Sequence, residues 1–218
     1  MEMPATIFRA YDIRGVVGKT LTPKIVRQIG RALGSLYPAS QRVAVGRDGR
    51  LSSPELADAL CQGLMAAGRT AIDVGQVPTP VLYYATHRLE TGAGVMITGS
   101  HNPPHYNGIK MVMDGHTLYG DTIRGIYDHI IDGTMAGGDG RREEQDLAED
   151  YVARICGDVK LSRPLRIAVD CGNGVAGPLA LELFARLGCE VEALYCDVDG
   201  NFPNHHPNPS EPENLTDL

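Results

Sequence analysis

The 218-residue sequence contains no C-x-x-C pair and no long run of apolar or basic residues. Its five cysteines are widely spaced, which argues against a zinc site or a disulfide framework and predicts reduced thiols in a cytoplasmic protein. No apolar segment approaches the length of a membrane-spanning helix, and the first residues lack the charged and apolar regions of an export signal. We therefore expect a soluble protein that does not bind a membrane.

The sequence also lacks a concentration of positive charge. The formal net charge is −7, and basic residues stand mostly singly or in pairs. Nucleic-acid binding relies on clustered lysine and arginine, so we expect no nucleic-acid partner, although Arg47 and Arg50 allow a local phosphate site. Two enzyme signatures are missing as well. There is no Walker loop, and around Ser100 the residues Thr98 and Asn102 occupy the glycine positions of G-x-S-x-G.

What the sequence does contain is an alternation of strand and helix patterns. Apolar runs predict strands at 42–46, 71–74 and 94–97, with helices at about 23–36, 54–67 and 80–89. Repeated βα units predict a mixed, mostly parallel sheet sandwiched by helices. Each helix is preceded by a hydroxyl residue, predicted as its N-cap, and then proline at the first helical position: Thr22-Pro23, Ser53-Pro54 and Thr79-Pro80. Ser52 and Glu55 also have capping-box spacing.

A second, shorter α/β unit follows. A polar helix is predicted at about 143–157, then a strand at 165–169, a helix at 177–187 and a strand at 191–196. We expect residues 1–145 to form the first domain, and residues 146–218 a linker helix and the N-terminal part of a second domain of similar type. One β-α-β crossover is too small to bury both faces of its sheet, so we expect this second domain to be incomplete.

The most informative segment is Thr98-Gly-Ser-His-Asn-Pro-Pro104, followed by a strand predicted from Gly108 to Met113. It places the Ser100 hydroxyl in a loop at the end of a buried strand, and Lys110 returns on the next strand. Ligands of such sheets bind beyond the carboxyl ends of strands. A serine there, with lysine and loop N–H groups to stabilise negative charge, is suited to carry a phosphoryl group. The alternative is a tight turn whose serine bonds its own backbone.

Two further segments allow other interpretations. Gly172, Gly174 and Gly177 form a G-x-G-x-x-G between a predicted strand and a predicted helix, which is typical of a dinucleotide-binding oxidoreductase. Near the N-terminus, Arg14 is suited to a bidentate phosphate contact, or else forms a surface pair with Asp12.

Together, these motifs resemble those of the α-D-phosphohexomutases, most closely the bacterial phosphomannomutase/phosphoglucomutase group. The resemblance implies an isomerase that interconverts hexose 1-phosphates and hexose 6-phosphates of mannose and glucose through a phosphoserine and a hexose 1,6-bisphosphate. The Ser100 loop is its most specific element. The resembling segments follow the family's order along the chain: Phe8–Gly15, Val45–Arg50, Val77–Pro80, Thr98–Pro104, Tyr106–Lys110, Val169–Gly177 and Asp199–Asn204.

The resemblance also implies residue roles. Ser100 would be the phosphorylated serine and, through its phosphate, one ligand of Mg²⁺. Lys110 would act as general acid or base. By the same resemblance, the catalytic residues are Ser100, Lys110 and Arg14, and the substrate-binding residues are Tyr11, His101 and Asn102. Hexose 1,6-bisphosphate would serve as both activator and intermediate.

The sequence departs from the family pattern in extent. Family members have four domains, and the Asp-rich magnesium loop of the second domain is absent here. We expect the 218 residues alone to lack mutase turnover, because they contain neither the remaining Mg²⁺ ligands nor the C-terminal domains, which we expect to be their partners. The full-length enzyme is expected to be a monomer. Phosphoglucosamine mutase is the alternative within the family, and a non-catalytic scaffold whose Ser100 is never phosphorylated is another outside it.

Overall fold

The computed structural model describes residues 3–218, which form one large and one small sheet with helices against them. The strands are β1 (Ile13–Val16), β2 (Arg42–Arg47), β3 (Thr70–Gln76), β4 (Gly94–Ile97), β5 (Tyr106–Met113), β6 (His116–Thr117), β7 (Arg142–Glu144), β8 (Arg166–Asp170) and β9 (Glu190–Leu194). The helices are α1 (Pro23–Leu36), α2 (Ser53–Ala66), α3 (Thr79–Arg88), α4 (Asp121–Asp132), α5 (Ala148–Asp158) and α6 (Gly177–Arg186).

The large sheet has the strand order β1-β5-β4-β2-β3-β7, with β6 beside β5. Strands β4, β2, β3 and β7 run parallel to their neighbours in this series, and β1, β5 and β6 pair antiparallel. Successive side chains of a strand point to opposite faces, so Val43 and Val45 join the core under α1, α2 and α4, while Ala44 joins the core under α3. The predicted mixed α/β sheet sandwiched by helices is confirmed.

The predicted polar helix at 143–157 is wrong at its beginning. Residues 142–144 form β7, which pairs in parallel with β3, and α5 begins only at Ala148. Arg142 forms ion pairs with Asp58 and Asp73, so long-range contacts hold this polar segment at the sheet edge. A local pattern of polar residues contains no information about such partners, and β1 and α4 were not predicted either.

Only one of the three predicted hydroxyl caps forms a capping bond. Thr22 Oγ1 accepts a hydrogen bond from the Ile25 N–H at 3.4 Å. Ser53 and Thr79 instead lie inside the first turns of α2 and α3, and Ser52 makes no capping bond. The Ser53 hydroxyl donates to Asp48 Oδ1 at 2.5 Å, so it is used in the loop network described below rather than on its own helix.

The small sheet is the parallel pair β8–β9 connected through α6, and α6 packs against α5. Most side chains of this pair are exposed or half-buried, because two strands and one crossover helix enclose little volume. Among residues 3–218, no helix combines the length and the apolar composition that crossing a membrane requires.

The two units meet at the carboxyl-terminal edge of the large sheet. A Cβ atom at Gly49 would lie 2.3 Å from Val198 Cγ1, and one at Gly200 would lie 2.7 Å from the Leu51 nitrogen. Only residues without a side chain fit at these two positions as the units are packed. The second unit is therefore held close to the loop that follows β2.

Candidate active site

Ser100 lines a cavity and lies three residues beyond the end of β4. Ile97 and Arg47 are register partners, so β4 and β2 end at the same edge of the sheet. Ser100 has a φ of 52°, in the left-handed region that residues other than glycine seldom adopt. Its N–H donates to Thr98 Oγ1 at 3.0 Å, and the residue is half-buried. The hydroxyl-bearing residue is thus held in a defined conformation without being enclosed in the core.

The buried Arg50 guanidinium fixes the backbone of this loop through hydrogen bonds. Arg50 is 2% exposed. Its Nη1 donates to the carbonyl oxygens of Pro103 at 2.8 Å and Tyr106 at 3.1 Å. Its Nη2 donates to the carbonyl oxygens of Ser100 at 2.9 Å and Asn102 at 2.6 Å. Four carbonyl groups of one short loop therefore converge on one buried cation.

Asp48 completes the network below the loop. Its Oδ2 accepts the Gly99 N–H at 3.0 Å, and its Oδ1 accepts the Arg50 backbone N–H at 3.1 Å. The Arg50 Nε lies 3.3 Å from Asp48 Oδ2 as an ion pair, without an aligned hydrogen bond. Burial lowers the pKa of Arg50, and the Asp48 carboxylate opposes that shift. The carboxylate thus offsets part of the cost of burying the guanidinium.

Arg14 reaches the loop through Asn102. Arg14 stands opposite Gly108 in the β1–β5 pairing, and its Nη1 donates to Asn102 Oδ1 at 3.3 Å. Its Nη2 forms an ion pair with Asp12 at 2.5 Å. The Asn102 Nδ2 donates in turn to the Gly99 carbonyl at 2.8 Å. Arg14 therefore touches the loop from the side and does not itself line the cavity.

A cavity of about 620 Å³ is lined by residues of the Ser100 loop and of the second unit. Lys110 stands opposite Met96 in the β4–β5 pairing, so it lies on the strand next to the one that leads to Ser100. Within residues 3–218 its ammonium has no acidic partner within 4 Å, which leaves its charge available to a ligand. Residues lining the cavity include Thr98, Ser100, His101 and Lys110 from the first unit and Asp170, Gly172 and His205 from the second.

The opposite wall contains a histidine whose two ring nitrogens both face acceptors. His205 Nε2 lies 3.1 Å from both Asp170 carboxylate oxygens, and Nδ1 lies 3.0 Å from the His206 carbonyl. The hydrogen bond to His206 raises the pKa of His205, and Asp170 raises it further. A Cβ at Gly172 would lie 3.0 Å from His205 Cε1, and Asp170 Oδ1 accepts the Gly172 N–H. Protein groups thus cover the first glycine of the G-x-G-x-x-G, which favours a structural turn.

Family models match both units of the chain. The family model described as phosphoglucomutase/phosphomannomutase, alpha/beta/alpha domain I, matches residues 5–137, and the one for domain II matches residues 149–218. The chain belongs to the phosphoglucomutase/phosphomannomutase family. It is 55% identical over 218 residues to a phosphomannomutase/phosphoglucomutase of Pseudomonas aeruginosa and 51% identical over 216 residues to a phosphoglucomutase of Neisseria gonorrhoeae. The resemblance to the α-D-phosphohexomutases is confirmed.

The family relatives are longer than this chain. The alignments include 99% and 97% of the chain but 47% of each of the two relatives, so the chain spans about half the length of the curated relatives it matches. A crystal structure of a phosphoglucomutase/phosphomannomutase family protein from Burkholderia thailandensis superposes with a TM-score of 0.96 at 53% identity. It covers 100% of this chain and 50% of that one.

Six residues were expected at the site, and the structure places them differently. The serine and lysine line the cavity together with His101, whose Nδ1 lies 2.7 Å from the Pro207 carbonyl of the second unit. Asn102, in the loop, accepts a hydrogen bond from Arg14, and neither residue lines the cavity. Tyr11 is 79% exposed and does not line the cavity. The candidate site therefore centres on Ser100, Lys110 and His101.

The described residues do not form a magnesium site by themselves. A phosphate on Ser100 would offer one oxygen to the Mg²⁺ that the resemblance implies. Within residues 3–218, no group of three or more His, Cys, Asp or Glu side chains is arranged to hold a metal ion. The chemistry proposed below uses only the side chains of this chain.

The sequence did not indicate that Asp48 and Arg50 hold the Ser100 loop. Arg47 and Arg50 were considered for a local phosphate site, but Arg47 Nη1 lies 3.1 Å from Asp73 Oδ1 and Arg50 is enclosed by loop carbonyls. The Asp48-x-Arg50 pair at the end of a strand indicates that polar groups gather at that edge. It does not indicate that the partners of Arg50 lie about fifty residues further along the chain.

Proposed function

We propose that this chain contributes the phosphoserine-bearing part of a phosphohexomutase, which interconverts the 1-phosphates and 6-phosphates of mannose and glucose. One observation supports the proposal above the others. Ser100 has a left-handed backbone conformation and lines a cavity that is also lined by Lys110, which has no acidic partner within 4 Å among residues 3–218. Phosphoryl transfer depends mainly on position and on stabilising charge, and this site supplies both.

The proposed transfer proceeds in two balanced steps. In the first, the bond between Ser100 Oγ and phosphorus breaks while a sugar hydroxyl oxygen forms the new bond to phosphorus. Lys110 gives a proton to Ser100 Oγ, and the sugar hydroxyl loses its proton to water. The resulting 1,6-bisphosphate reorients in the cavity, and the reverse step returns its other phosphate to Ser100. Lys110 therefore serves as general acid in one direction and as general base in the other.

The remaining assignments stay predictions. Arg14 acts on the loop through Asn102, and the exposed Tyr11 ring is available to a sugar. His101 would close the cavity on the side of the second unit. We also retain the predictions of Mg²⁺ use, a cytoplasmic location, a monomeric full-length enzyme and the absence of turnover by residues 1–218 alone.

Intact-mass measurement after incubation with glucose 1,6-bisphosphate tests the proposal. We expect one phosphate adduct on the wild-type protein, its loss in Ser100→Ala, and its retention in Ser210→Ala, which changes an exposed serine of the second unit. Peptide mapping would locate the phosphate on Ser100. A wild-type protein that takes up no phosphate would support the scaffold interpretation, and an adduct that persists in Ser100→Ala would refute the role of that serine.

Two ligand tests separate the alternatives. The contact of His205 with the Gly172 turn predicts no saturable binding of NAD or FAD, and saturation by either would favour an oxidoreductase. Within the family, a kcat/KM for glucosamine 1-phosphate above those for glucose and mannose 1-phosphates would favour a phosphoglucosamine mutase. The full native chain that contains these residues is the protein to use for the kinetic comparison.

A further inference from the structure

Within the Ser100 loop, the Arg50 guanidinium bonds only to main-chain atoms. Its four loop partners are carbonyl oxygens of residues 100, 102, 103 and 106, and no side chain of the loop bonds to its Nη atoms. Such a set of contacts fixes the path of the backbone whatever side chains the loop presents. The path matters here because Ser100 is held at a φ of 52°, a conformation that persists in a non-glycine residue only when its surroundings impose it.

The Arg50 guanidinium leaves no room for a side chain at position 99. A Cβ at Gly99 would lie 2.2 Å from Arg50 Nε and 2.3 Å from Arg50 Cζ, so a side chain at position 99 and the observed guanidinium cannot coexist. The Phe202 ring of the second unit has its centroid 5.1 Å from Arg50 Cζ, within the range of a cation–π contact. The same cation thus touches the phosphate-bearing loop of one unit and an aromatic ring of the other.

We propose that Arg50 is a positioning residue for phosphoryl transfer. It holds the backbone of Ser100 in the left-handed conformation and thereby positions the Ser100 hydroxyl. Through its contact with Phe202, Arg50 also couples that conformation to the position of the second unit. This role rests on the proposed mutase function. Arginine is required because its planar fork directs separate N–H groups at four carbonyls. A lysine would offer three N–H groups from a single point and could not span them.

The central experiment compares Arg50→Lys with Arg47→Lys in the full native chain. A displaced phosphoryl carrier slows transfer without weakening binding, so Arg50→Lys should lower kcat by about 100-fold with the KM for glucose 1-phosphate changed by less than about threefold. Arg47 is the last residue of β2, three residues before Arg50, but its side chain pairs with Asp73 and makes no hydrogen bond to the Ser100 loop. Arg47→Lys should therefore keep the wild-type kcat. Amide hydrogen exchange over residues 99–107 should accelerate in Arg50→Lys and remain unchanged in Arg47→Lys.

Two further variants keep the test independent of the lysine substitution. Gly99→Ala leaves Arg50 in place chemically but displaces its guanidinium, so it should reproduce the kcat loss. Gly125→Ala is the matched control, because nothing lies within 4 Å of a Cβ at that position. In Arg50→Ala, added guanidinium ion should restore part of the lost kcat by occupying the vacated site, an effect that a purely structural loss would not show.

The outcomes separate this inference from the function on which it rests. A wild-type chain that accepts no phosphate and turns over no hexose phosphate contradicts the proposed function. An active wild type with an equally active Arg50→Lys overturns the role of Arg50. That role is also overturned if kcat falls only in proportion to the folded fraction and guanidinium ion restores nothing to Arg50→Ala.

Discussion

At the residue scale, the contacts of His205 favour the charged form of its ring. Hydrogen bonding to the His206 carbonyl raises its pKa, and the Asp170 and Asp217 carboxylates act in the same direction. A pKa raised in the folded state means that the stability from the charged ring is complete below the unfolded value of about 6.5 and is lost as pH rises through the folded value. We expect wild type to exceed His205→Gln in melting temperature most at the acid end of this window.

An NMR titration of the His205 ring gives the direct measurement, with an expected pKa above 6.5. Melting curves of wild type and His205→Gln between pH 5.5 and 9 should converge as the pH increases. A gap between the two curves that stays constant over the whole range would contradict the charged ring.

At Cys171, burial favours the neutral form of the side chain. Desolvation raises the pKa of its thiol to about 12, and the Cys196 thiol, whose Sγ lies 3.5 Å away, adds to the shift. Since the thiolate is the reactive form, alkylation of Cys171 by iodoacetamide should be slow at neutral pH. We expect its rate, followed by peptide mass spectrometry, to rise by about tenfold per pH unit from pH 7 to 10. A rate that levels off near pH 9 would show an ordinary thiol.

At the scale of elements, α1 and α2 pack with their backbones in near contact. A Cβ at Gly63 of α2 would lie 2.1 Å from the Arg27 carbonyl oxygen and 2.8 Å from the Arg31 nitrogen, both backbone atoms of α1. Gly63→Ala must therefore push the helices apart, and we expect it to lower the free energy of unfolding by about 1–3 kcal/mol.

Gly125 of α4 is the matched helical control for this prediction. Nothing lies within 4 Å of a Cβ at Gly125, so Gly125→Ala should raise the free energy of unfolding by about 0.5–1 kcal/mol through helix propensity. Urea denaturation followed by circular dichroism measures both variants. Equal effects of the same sign would show that helix packing does not distinguish the two positions.

At the scale of the whole molecule, the contact between the two units includes a close approach of backbone to backbone at Gly200. A Cβ at Gly200 would lie 2.7 Å from the Leu51 nitrogen and 2.8 Å from the Gly49 carbonyl oxygen. We expect Gly200→Ala to separate the units slightly and to split thermal unfolding into two calorimetric transitions, the second unit melting first because it buries less. Gly157→Ala, whose Cβ would meet nothing within 4 Å, should keep the wild-type profile. A single unchanged transition in Gly200→Ala would contradict this account of the interface.

Much of the architecture could be predicted from the sequence, because the periodicity of apolar residues reports directly on burial within each element. A helix was predicted at about 23–36 and α1 spans Pro23–Leu36. A buried strand was predicted at 94–97, and β4 is buried throughout. The prediction failed where a partner distant in sequence decides the outcome. Residues 142–144 are polar enough for a surface helix, yet pairing with β3 makes them a strand.

By itself, the sequence determined the alternation of strands and helices, the position of Ser100 at the carboxyl end of a strand, and the family resemblance, because these depend on local patterns and short motifs. Only the tertiary structure decided how that serine is held. The four carbonyls, the carboxylate and the aromatic ring around Arg50 come from separate segments. A buried charge is stable only where such groups converge, and convergence is a property of the folded chain that no local pattern encodes.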